Sequence, residues 1–117
     1  MDQVSLVDQL RSMGYTVDDV GDVEQPFFQT SGTTMRVSGG ALQEPVDLQV
    51  FNYDDAGATE ADAQQIGPDG NPLTMMITWV APPHFFRKDK VIVLYLGSDQ
   101  EAITLLTQAL GSQFAGT

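Results

Sequence analysis

At 117 residues the chain is long enough for one domain with one core and too short for two. Sixteen acidic side chains against five basic ones give a net charge of −11, which repels nucleic acid and anionic membranes and attracts basic proteins, while 42% apolar residues exclude a disordered chain. No cysteine and a single histidine, His84, exclude disulfides, thiol catalysis and most zinc sites.

The first predicted element is a helix over Ser5–Met13. Leu6, Val7, Leu10 and Met13 share one face at the 3.6-residue period, and Gly14 stands at the C-terminal capping position. Ser5 with Asp8 resembles a capping box, and Asp2 is the alternative cap, starting the helix earlier. Tyr15–Val20 is weakly β because Asp18 and Asp19 interrupt it. Pro26 precedes Phe27–Thr30, and Ser31-Gly32 turns the chain into Thr34–Val37, where Met35 and Val37 alternate with polar residues. Beyond Gly39-Gly40, Val46, Leu48 and Val50 alternate with Asp47 and Gln49 in a strand that runs to Tyr53.

Ala56–Ile66 is the second predicted helix, capped by Asp54 or Asp55, with a shallow stripe of Ala58, Ala61, Ala63 and Ile66. Gly67-Pro68 stops it, and Pro68–Pro72 has turn chemistry. Thr74–Val80 and Val91–Leu96 are predicted strands joined by a long loop, Pro82–Lys90. Val91–Leu96 is apolar on both faces and therefore central; it is also the longest apolar run, far short of the ~18–20 residues that span a bilayer. Ser98 and Glu101 form a capping box for a last helix that buries Ile103, Leu106 and Leu110 and ends at Gly111. The order is α-β-β-β-α-β-β-α. It predicts one α+β domain over 1–117, a two-layer fold with a mainly antiparallel sheet of about five strands and helices packed on one side.

Residues that carry chemistry are sparse. His84 as a general base needs a nucleophile and an orienting acid, and no serine lies in a Gly-x-Ser-x-Gly elbow. The acids of Asp18–Glu24 and Asp54-Asp55 lack calcium-loop spacing, and Ser38-Gly39-Gly40 is not a phosphate loop. The recognition candidates are Trp79, His84, Phe85 and Phe86 beside the basic cluster Arg87, Lys88 and Lys90, since aromatics and arginine dominate interface hot spots. The plainer reading of the same residues is that Phe27, Trp79 and Phe85 close the core and the basic trio is a solvated hairpin tip.

Several motifs come in a familiar order. They are Gln25-Pro26-Phe27-Phe28, Leu48–Tyr53 before an Ala-rich helix, Ile66–Gly70, Thr78–Phe86 and the Gly111–Gly116 ending. Over roughly Leu6 to Gly116 the chain resembles a group of small uncharacterised bacterial proteins, often encoded with a lipoprotein-type signal peptide. The resemblance implies an extracytoplasmic setting, tethered in the full-length form by a lipid on an upstream cysteine, and it implies no activity. Met1-Asp2-Gln3 is acidic where a signal peptide would be positive. Composition alone also admits the cytoplasm.

The resulting expectation is a non-enzymatic envelope module without cofactor, metal or nucleic acid, whose partner is another protein. A small-ligand or ion binder with a cleft between sheet and helices is the alternative, and an enzyme that titrates His84 is a third. On the first reading, His84→Ala leaves the fold intact and weakens partner binding.

Overall fold

The centre of the sheet follows from one strand with no polar side to turn outward. In the computed structural model, which describes residues Met1–Thr117, Val91–Leu96 (β5) lies between Val46–Asn52 (β3) and Pro83–Lys88 (β4). Val91, Val93 and Tyr95 enter one core, and Ile92 and Leu94 enter another on the opposite face. Both faces therefore need cover. Outward from this centre run Gly32–Gly39 (β2) and Tyr15–Val23 (β1) on one side and the two-residue strand Ala115–Gly116 (β6) on the other. The order β1-β2-β3-β5-β4-β6 is antiparallel throughout. The α+β class and the predicted chain order of elements hold, with β6 as a sixth strand.

Gln3–Ser12 (α1) and Gln100–Leu110 (α3) form the helical layer over one face, burying Leu6 and Leu10 with Ala102, Leu105, Leu106, Ala109 and Leu110. Ala56–Ala63 (α2) packs on the other face, where Ala63 and Ile66 join an aromatic cluster of Phe27, Phe28, Phe51, Tyr53 and Phe85. A small-residue helix such as α2 covers little area, so aromatic loops supply the remaining apolar cover. The caps are local and specific. Asp2 closes a reciprocal box with Ser5, Asp55 accepts from the Ala58 N–H, and Asp99 rather than Ser98 caps α3 by accepting from Glu101 N–H.

One correction changes where the site can be. The predicted loop Pro82–Lys90 contains strand β4, and the predicted strand Thr74–Val80 pairs with nothing. Asp89-Lys90 makes a tight turn, with Asp89 at φ 51°, so the residues beside β5 in sequence reach its ladder with little chain to close. Phe85 and Phe86 are fully buried on opposite faces, and burying both in a loop would strand their backbone polar groups. Pro83 is tolerated as the first residue of the strand.

Candidate interaction surface

Strand β4 fixes most of the expected recognition residues, and it turns them inward. Phe86 packs under the helices, while Phe85 meets Phe27, Trp79 and Phe114 at ring-centroid distances of 6.0–6.4 Å. Neither reaches the surface. His84 is also buried. Its Nδ1 lies 2.9 Å from Gln113 Oε1 and its Nε2 2.9 Å from the Gly97 carbonyl, and its ring stacks on Tyr95. The Gly97 carbonyl can only accept, so Nε2 carries the proton and donates to it while Nδ1 meets the Gln113 side-chain amide, and the histidine works as a clasp between β4, the turn before α3 and the C-terminal segment. No hydroxyl or carboxylate stands at either nitrogen for general-base chemistry.

The basic trio separates as well. Arg87 pairs with Glu60 of α2 and lies over the Phe114 ring at 5.6 Å, which leaves Lys88 and Lys90 exposed on either side of Asp89 at the hairpin tip. A lysine pair interrupted by an aspartate has no converging donors for an anion. Of the seven sequence candidates, the structure joins only Trp79 to Phe85.

Trp79 belongs to a segment that periodicity alone misassigned. Met75, Ile77 and Trp79 pack on the aromatic core, and the residues between them point outward, so the alternation of a strand is real. Yet no backbone N–H or C=O from Thr74 to Ala81 bonds to another backbone group. Leu73, Met76 and Val80 are 70%, 98% and 92% exposed. The indole Nε1 of Trp79 is shut off from solvent without a partner, an uncommon state for a buried donor. No residue between Gly70 and Phe86 carries a formal charge with His84 neutral, a long neutral window in a chain of net charge −11.

The concave sites are shallow and acidic. The largest cleft, about 600 Å³, is lined by Thr34, Glu44, Asp47, Gln49, Tyr95 and Asp99 among others. A smaller one of about 260 Å³ lies at α2 beside Tyr53 and Asp62. There the buried Asp62 carboxylate accepts from the Tyr53 hydroxyl at 2.8 Å and from Gln29 N–H at 2.9 Å. Burial, and then the Asp62 hydrogen bond and charge, push the Tyr53 phenol well above its ordinary value of 10.0. Nowhere do three histidine, aspartate or glutamate side chains converge as metal ligands would, and no helix is long and apolar enough to cross a membrane.

Comparison with protein-family models, curated proteins and solved structures gives no match.

Proposed function

We propose that this protein is a non-enzymatic interaction module that takes an extended protein segment alongside residues Thr74–Ala81. The observation that carries the reading is the unpaired backbone of that segment. A chain with the side-chain alternation of a strand and no ladder of its own leaves its backbone donors and acceptors free for a partner, whose main-chain hydrogen bonds would supply affinity while alternate side chains supply selectivity. The exposed Met76 and Val80 give a partner apolar surface. Trp79 is retained from the recognition candidates. Phe85 supports the segment from below through its contact with Trp79.

The extracytoplasmic, lipid-tethered setting remains part of this proposal. Its support is the resemblance carried by the Gln25–Phe28, Leu48–Tyr53, Ile66–Gly70 and Thr78–Phe86 motifs. A thiol-free chain fits such a compartment without requiring it.

The test is a photo-reactive amino acid in place of Met76, with the same substitution at exposed Asp8 on α1 as control, irradiated in the host cell. Protein adducts are expected at position 76 and not at the α1 site. Equal adduct yield at the two positions, or none at 76, overturns the reading.

A further inference from the structure

We infer that the cleft beside α2 binds a protonated amine, with the Asp62 carboxylate as its counter-ion. It shares no lining residue with Thr74–Ala81, so it is a second site and not a part of the docking surface. Three observations lead to it.

First, Asp62 is a buried acid without a cation. The residue is 2% exposed. The ion pairs of the fold lie elsewhere, joining Arg36 to Asp47, Arg87 to Glu60 and the terminal amine of Met1 to Asp89. A carboxylate taken out of water is costly until an opposite charge meets it. Second, only one of its oxygens is engaged. Oδ2 takes both the Tyr53 hydroxyl and the Gln29 N–H, and Oδ1 accepts nothing. Oδ1 is not sealed either, because the only side-chain polar atom that is both unpaired and shut off from solvent is Trp79 Nε1. Asp62 forms part of the cleft wall, so its free lone pairs open there. Third, the lining suits an amine on a short alkyl stem. None of the eight lining residues is basic, and exposed Asp54 adds a second negative charge. Ala58 lies one helical turn before Asp62, with Ala61 beside it, so the walls next to the carboxylate are methyl groups.

The same small residues that give α2 little apolar cover leave this space open. Its volume of about 260 Å³ is below the ~300–1,000 Å³ of pockets for drug-sized ligands, which limits the guest to a few heavy atoms. A bare metal ion is the poorer guest, since no third acid or histidine converges on the site. An ammonium brings three donors, enough for Oδ1 and for Asp54, and the net charge of −11 raises its local concentration. Two sources carry that chemistry, a free diamine and the lysine side chain of a partner protein.

Titration of the full chain with 1,4-diaminobutane and, separately, with Nα-acetyl-lysine methylamide, followed by amide NMR, tests the site. Saturable shifts are expected at Gln29, whose N–H shares the carboxylate, and at Ala58 and Ala61. Tighter saturation by the diamine identifies a free diamine as the guest; tighter saturation by the lysine derivative identifies a partner's lysine. The Nε-acetylated form of that derivative has the same stem without the charge and should shift none of these amides. Asp62→Asn keeps the shape of the side chain and should weaken amine binding about tenfold or more. Ala58→Leu fills the cleft from an exposed helix position and leaves the bonds of Asp62 in place. It should weaken binding equally without lowering the melting temperature, which keeps the test decisive should Asp62→Asn unfold. No saturable shift with either amine overturns the site. So do shifts that persist unchanged in Ala58→Leu, which would mark diffuse attraction to an acidic surface.

Discussion

At the scale of single residues, the polar groups that matter most are buried and already satisfied. His84 ties three parts of the chain together through Gln113, Gly97 and Tyr95. The expectation that His84→Ala would spare the fold is reversed by this placement. The substitution removes the bond donated to the Gly97 carbonyl and the contact with the Gln113 amide, and it opens a space beside Tyr95, so a loss of about 1–3 kcal/mol in urea unfolding is expected. Lys88→Ala at the exposed tip should change stability by no more than about 0.5 kcal/mol in the same assay. Tyr53 offers a pH test. Its phenol titrates at 10.0 when unfolded and higher when folded. The folded state thus holds the proton more tightly, and the stabilisation is complete below pH 10 and lost as pH rises beyond it, at about 1.4 kcal/mol per unit. Tyr53→Phe should be less stable than the unsubstituted protein by about 1–2 kcal/mol at neutral pH. The two unfolding curves should converge above pH 10; a gap that stays constant would mean that the Tyr53 phenol titrates alike in both states.

At the scale of elements, local chemistry wrote most of the structure. Apolar spacing gave the two longer helices, α1 and α3, Asp2 and Asp55 are among the caps it offered for α1 and α2, and alternation gave β2 and β3. Alternation also led the reading astray at Thr74–Val80, because a period of two reports that one side of an extended chain is buried and carries no information on whether its backbone is paired. β4 was hidden for the complementary reason. Two adjacent buried aromatics after two prolines have no alternation to read, since both faces of that strand are interior. The distinction has a measurable consequence. In native-state hydrogen exchange of dilute protein, amides of Thr74–Ala81 should exchange near the rate of an unstructured peptide, while those of β5 exchange only on global unfolding. Protection of Thr74–Ala81 in dilute protein would contradict an unpaired segment.

At the scale of the whole molecule, composition and pattern determined the class. Length set one domain, a strand apolar on both sides set a buried sheet centre, and three helical stretches set the α+β architecture. The charge of −11 and the lone histidine bounded the chemistry, and both are properties of the sequence that no fold can alter. Only the tertiary structure decided which residues reach the surface. Trp79, His84, Phe85 and Phe86 look alike as a string of aromatic residues, and the hairpin at Asp89-Lys90 sent three of them inward while leaving the segment before them lying over the core without a ladder. The physical reason is competition. Strand β5 has one open edge beyond β3, only Thr74–Val80 had the readable pattern to fill it, and the tight turn brought the nearer segment, Pro83–Lys88, there instead. Hydrophobic periodicity is local and survives in any context, whereas backbone pairing is a contest between distant segments for the same edge, settled by loop closure and by which pairing leaves fewest buried polar groups unmet.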